Sequence, residues 1–319
     1  MTKQHATYLN SFISILLLVV KYIAYKLTSS EAIYSDALES IVNVVMTFVS
    51  LIAIRYAMAP PDDDHPYGHG KVELFSSSLE SVLLIFAGSV VCLESAQGLY
   101  HGHSIEELNI GLLLTTFAGV VNLVLGLYLE NLGKKLDSIA LVSNGKHLVL
   151  DFYTSLVILI GLLVVKFTSI SRIDSLLALL MGIHLIFAGK KLLQESLSGL
   201  LDVKDEQLID GICSAYNEIV ISGIINLHLL KVIKSGDFIH IDGHVVIPEF
   251  WTVDSAHDEV EKFSNALASK LKKGAEINLH IDPCLKKYCK VCDYDNCPIR
   301  VEEFCQRVKL NKTLITARQ

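Results

Sequence analysis

The chain has 319 residues, 51% of them hydrophobic and only 19% charged, with a mean hydropathy of +0.46. That is too apolar for an ordinary soluble domain. Its formal net charge of −7 argues against a nucleic-acid partner, because phosphate binding needs a basic face. The apolar character ends near Gly199 and the last third reads as soluble, so at least two parts are expected.

Six apolar stretches lie at about 8–27, 33–58, 73–99, 109–131, 139–166 and 173–194. Each is near the ~20 residues that cross ~30 Å of hydrocarbon at ~1.5 Å per residue. The first has no small-residue cleavage site and a second span follows directly, so it is expected to stay in the mature protein. Lys3, Arg55, Lys71, Lys134, Lys135, Lys190 and Lys191 fall on one side, against Lys26, Lys166 and Arg172 on the other. Basic loop residues are retained in the cytoplasm, which predicts a multi-pass protein of the cell (inner) membrane with both termini cytoplasmic. Gly119, Gly126, Gly161 and Gly182 would let helices approach closely.

The second span carries Glu39-x-x-x-Asn43 and the fifth carries His147-x-x-x-Asp151. Residues i and i+4 of a helix share a face, so each pair can present two ligand atoms to one point. Ionisable groups are costly within a bilayer, by roughly 2.5–3.5 kcal/mol for a charge near its centre, and a bound divalent cation would offset that cost. Imidazole with carboxylate and amide oxygen suits zinc or another first-row divalent ion, and the imidazole titrates where protons can compete. Asp36, one turn before Glu39, reads either as an entrance ligand or, preferably, as a helix-end carboxylate exposed to water. Glu80, Glu94 and His184 read as satisfied structural groups.

Pro60 and Pro61 end the second span, and a polar loop, Asp62 to Lys71, follows. Within it Asp62, His65 and His69 offer a carboxylate and two imidazoles in eight residues, enough to close around one ion; the rival reading is a solvated acidic loop. After Asp202 the pattern becomes helix 204–220, strands 225–233 and 238–247 about a Lys234-Ser235-Gly236-Asp237 turn, helix 253–272 and strand 276–281. The expected fold is therefore a six-helix membrane domain, 1–200, followed by a small α-β-β-α-β domain, 201–283. A Cys-rich tail, 284–319, follows, in which Cys284, Cys289, Cys292 and Cys297 have spacing that can wrap one tetrahedral ion. Zinc is the first choice there and an iron–sulfur cluster the second, while disulfides are disfavoured in a cytoplasmic segment. Cys92 and Cys213 read as small buried hydrophobes, and Cys305 has no evident partner.

Three features together carry a resemblance over about residues 8–284. They are His65-Pro66-Tyr67-Gly68-His69-Gly70-Lys71, the His147/Asp151 pair, and the ending Ile277-Asn278-Leu279-His280-Ile281-Asp282-Pro283-Cys284. The chain resembles the cation diffusion facilitators, in particular bacterial zinc and iron efflux members. The resemblance implies a homodimer of six-helix protomers with a metallochaperone-like cytoplasmic domain, exchanging a divalent cation for protons by alternating access. It places the transport site on Glu39, Asn43, His147 and Asp151, with Asn43 where efflux members usually have an aspartate. It also implies a loop site at Asp62, His65 and His69, a coupling ion pair between Lys71 and Asp202, and cytoplasmic ligands at His228, His257, His280 and Asp282. His240 and His244 read as ordinary strand residues. No Gly-rich loop followed by Lys-Ser or Lys-Thr appears, which disfavours nucleotide-driven pumping. A membrane-anchored metal sensor, or a redox protein using the tail, are the rival classes.

Overall fold

The computed structural model describes residues 3–317 except 103, 137, 138, 237, 272 and 273. Asp237 of the expected turn and Lys272 of the expected helix, with the side chains of Lys3 and Ser143, lie outside the described residues. Six long helices come first: α1 (Lys3–Thr28), α2 (Glu31–Ala57), α3 (Val72–His101), α4 (Leu108–Lys135), α5 (Ile139–Thr168) and α6 (Arg172–Leu200). All six contain stretches long and apolar enough to cross a membrane. The chain divides into two compact units, residues 1–53 with 75–197, and residues 54–74 with 198–319.

In the first unit, close packing needs glycine where helices meet. A Cβ on Gly126 of α4 would stand 2.8 Å from the Gly145 carbonyl oxygen of α5, so these helices touch backbone to backbone two residues before His147. The N-terminus of α2 is satisfied from another helix. Asp174 of α6, fully buried, accepts from the Glu31 amide at 2.7 Å and the Ser30 hydroxyl at 2.7 Å. A carboxylate there meets both the unpaired amides and the positive end of the helix dipole.

The second unit holds α7 (Glu206–Glu218), β1 (Asn226–Ser235), β2 (Phe238–Ile247), α8 (Val253–Lys270) and β3 (Gly274–Pro283), the α-β-β-α-β order expected. The sheet order is β1-β2-β3, with β1 antiparallel and β3 parallel to β2. The antiparallel pair joins strands consecutive in the chain, and α8 provides the crossover that parallel neighbours require. Asp205 caps α7 by accepting from the Leu208 amide at 2.9 Å. The same amide and the Lys234 ammonium, the latter the larger influence, hold its carboxyl below the usual range. One face of the sheet buries Leu227, Ile239, Ile241 and Val245 against Ile212, Tyr216, Phe263 and Leu267 of the helices.

A bulge interrupts β1: His228 pairs with His244, and the next partners are Lys231 and Asp242. One extra residue on β1 changes which side chains face inward, so Leu227 is core before the bulge and Leu230 after it. The kink is taken by Leu229, whose φ of 52° is left-handed. The segment from Cys284 onward folds back onto this domain through a 3₁₀ turn (Lys286–Val291) and a short α9 (Lys312–Ile315). Leu310 and Ile315 enter the core beside α7, Asn217 exchanges two hydrogen bonds with the Leu310 backbone, and Arg307 donates to the Ile219 and Ile221 carbonyls.

Candidate metal sites and the family

Within the first unit, α5 places His147 Nε2 3.7 Å from Asp151 Oδ1, as one-turn spacing predicts. Glu39 lies close enough to Asp151 and Asp36 for their charges to interact, and Glu80 of α3 stands in similar reach of His147. Among the described residues, however, Glu39, His147 and Asp151 are not a set of ligand atoms mutually within 4.8 Å. Their pairing is complete on α5, and the approach of α2 is at electrostatic range.

The surroundings of this set correct one reading. Asp36 is buried, not exposed to water, because Lys21 of α1 reaches across to it: Nζ is 2.8 Å from Asp36 Oδ1 and 3.0 Å from Ser40 Oγ. Both side chains are 5% exposed or less. Lys21 also interacts electrostatically with Asp151 and Glu39. Its signal in the sequence was a lone lysine well inside the first apolar stretch, and an ionisable group there needs a partner.

The loop brings Asp62, His65 and His69 together. Asp62 Oδ1 accepts from the His65 amide at 2.6 Å and lies 3.1 Å from His65 Nδ1, while its Oδ2 lies 3.3 Å from His69 Nε2. Donation by the His65 amide, then its ring, holds the Asp62 carboxyl below the usual carboxylate range. The His69 ring is buried against Tyr56, and its Nδ1 has no protein partner. Three ligand atoms here lie within 4.8 Å of one another, a spacing that fits one ion. Lys71 Nζ lies 2.8 Å from Asp202 Oδ2.

On the open face of the sheet, strand register puts His228, His244 and His280 in one row across β1, β2 and β3. Asp282, two residues along β3, accepts from the row: Oδ2 is 3.0 Å from His244 Nδ1 and 3.4 Å from His228 Nε2, and Oδ1 is 3.6 Å from His280 Nε2. Burial, partly offset by Asp282, pushes the His228 imidazole below its ordinary pKa, which favours the neutral, metal-binding form. The group that closes within 4.8 Å is His228, His244 and Asp282. His244 is thus central and not an ordinary strand residue. The histidine row was hidden because cross-strand register and the β1 bulge do not show in spacing along the chain. His240 instead pairs with Glu276 at 2.9 Å, in line with its expected strand role. His257 is not brought to the cluster; it sits on the exposed face of α8, 3.9 Å from Glu261.

Cys284, Cys289, Cys292 and Cys297 are all free thiols, Cys292 buried and the other three half-buried, and Cys284 and Cys292 each interact electrostatically with Cys297. No three of the sulfurs are mutually within 4.8 Å. Cys213 is buried and Cys305 exposed, while Cys92 is half-buried.

Six helices long and apolar enough to cross a membrane, joined to a small αβ domain with a histidine-aspartate cluster, make the architecture of a multi-pass membrane protein. Residues 7–201 match the cation efflux transmembrane domain, and residues 205–284 match the cytoplasmic domain of cation efflux proteins. An uncharacterized transporter of Synechocystis sp. is 31% identical over 261 residues, 82% of this chain and 84% of that protein. Metal tolerance protein C1 of Arabidopsis thaliana is 28% identical over 308 residues, 91% of this chain and 64% of that protein. The cation-efflux pump FieF of Serratia proteamaculans is 27% identical over 271 residues, 84% of this chain and 89% of that protein. The chain belongs to the cation efflux family, the cation diffusion facilitators.

Proposed function

We propose that this protein exports a divalent metal cation, zinc by preference, from the cytoplasm of the cell in exchange for protons moving inward. The observation that carries the reading is the set Glu39, Asn43, His147 and Asp151, metal ligands at helical-turn spacing inside two apolar spans of a cation efflux chain. Closing α2 onto α5 would bring the Glu39 carboxylate and Asn43 amide to the His147/Asp151 pair. Metal arriving from the cytoplasm displaces protons from these groups; after the helices re-open outward, returning protons release it. Direction follows from the difference in affinity between the two states. Asn43 leaves two carboxylates among the four ligands, enough to neutralise one divalent ion without a surplus negative charge.

The protein acts as a homodimer in the cell (inner) membrane with both termini in the cytoplasm, consistent with the loop basic residues and the cytoplasmic-domain match. The Asp62/His65/His69 and His228/His244/His280/Asp282 clusters bind the same class of ion as regulators. The Lys71–Asp202 pair is worth only ~0–1 kcal/mol as a surface contact, so its role is coupling and not stability.

The deciding measurement is metal-stimulated proton flux in inside-out vesicles, run with zinc, iron(II), manganese, cobalt and cadmium. Wild type should take up zinc while protons leave the lumen, and Asp151→Ala should abolish both. Metal binding by the soluble domain without flux in wild type would instead identify a membrane-anchored sensor.

A further inference from the structure

We propose that Cys284, Cys289, Cys292 and Cys297 form a tetrahedral thiolate site for zinc that fastens the C-terminal segment to the sheet. The segment needs a fastening. From residue 284 onward its described regular structure is a six-residue 3₁₀ turn and a four-residue helix, yet its far end is buried in the domain core through Leu310 and Ile315. A piece this short cannot stabilise itself by secondary structure, and small irregular units are usually held by a metal or a crosslink.

The backbone around the thiols is already set in place. The Arg300 guanidinium donates to the carbonyls of Cys289 at 3.1 Å, Cys292 at 3.1 Å and Tyr294 at 2.6 Å. The Cys284 amide donates to the Ile247 carbonyl at 2.8 Å and the Cys292 amide to Tyr288 at 3.0 Å. Cys292 and Tyr288 are buried with Ile225 and Val246, and Cys284 packs against this cluster. Zn–S bonds of ~2.3 Å in a tetrahedron set sulfurs ~3.8 Å apart, so binding draws the four thiols inward over a fixed main chain. Four thiolates around one zinc carry two net negative charges, and the Arg300 guanidinium, which interacts electrostatically with Cys292, stands beside them. A four-sulfur set selects a soft, tightly held ion, unlike the imidazole and carboxylate clusters suited to an exchanging cargo.

The fastening reaches the neighbouring cluster. Near the segment's end the Ala317 carbonyl accepts from the Leu229 amide at 3.2 Å, at the left-handed bulge residue beside His228. Zinc at the thiols therefore holds the strap that braces one ligand of the sheet site.

The test uses the full chain in detergent under reducing conditions. An Asp62→Ala/Asp151→Ala/Asp282→Ala variant, which removes the other ligand sets, should retain one zinc per chain. After cobalt exchange it should show the sulfur-to-cobalt charge-transfer and intense visible bands of a tetrahedral thiolate site. Adding Cys289→Ser/Cys297→Ser should remove both signals and open residues 284–317 to protease. In case that variant misfolds, titrating the wild-type chain with an organomercurial should release zinc in step with thiol modification. Absence of the charge-transfer band, an iron–sulfur absorption in the protein as isolated, or thiol modification without zinc release would overturn the assignment.

Discussion

Replacing Lys21 with methionine keeps the length and much of the volume of the side chain and deletes its charge, which leaves Asp36 alone inside the first helical unit. The ammonium lies 2.8 Å from the carboxylate, and both side chains are 5% exposed or less. At an effective dielectric of about 20, two unit charges at that distance attract by about 6 kcal/mol. Desolvation takes back much of this, so the better guide is the measured loss when one partner of a buried pair is removed, about 3–5 kcal/mol. That is roughly two to four orders of magnitude in the ratio of folded to unfolded protein. Dodecyl sulfate titration of the protein in mild detergent, followed by circular dichroism, reads this loss directly. The double variant Lys21→Met/Asp36→Asn should recover most of it, because no unpaired ion then remains. Since Lys21 also opposes cations near Glu39 and Asp151, the double variant, in which Asp36 is neutral too, should leave zinc affinity in vesicles close to wild type. A single variant as resistant as wild type, or a double variant no better than the single, would refute the reasoning.

Two further outcomes concern the second unit. Burial raises the Tyr216 phenol to about 12, so the folded domain keeps a proton that the unfolded chain, with its ordinary value near ~10, gives up. The stability held in full below pH ~10 should fall by roughly 2–3 kcal/mol as pH rises towards 12, and Tyr216→Phe should flatten that fall. Trp251, the one tryptophan in the sequence, reports unfolding of this unit by fluorescence, and identical alkaline slopes in both proteins would count against the account. Gly70→Ala should destabilise the unit by roughly 1–3 kcal/mol, because the added methyl meets the Ser235–Gly236 backbone, which cannot rotate away as a side chain could. Thermal melts by the same fluorescence check it, and an unchanged midpoint would mean the loop lies elsewhere.

Much of this molecule could be read directly because the determining physics is local. A bilayer demands about twenty apolar residues per helix, so all six spans stand out, and one helical turn relates His147 to Asp151 whatever surrounds them. The Asp62, His65 and His69 cluster is as legible, since its ligands fall within eight residues and an Asp-centred turn folds them together. What spacing could not supply was pairing between distant segments. His244 became the centre of the sheet cluster, and His257 was left on an exposed helix face, through strand register and a one-residue bulge at Leu229.

The amino-acid order by itself therefore determined the number of spans, the helical ligand pairs and the alternation that builds the small sheet, all consequences of periods of two and 3.6 along one segment. Only the tertiary structure decided that Lys21 neutralises Asp36, that three histidines line up across three strands, and that the cysteine segment returns to the core. Those contacts join residues far apart in the chain, and their geometry depends on how whole helices and strands pack, which side-chain spacing does not encode.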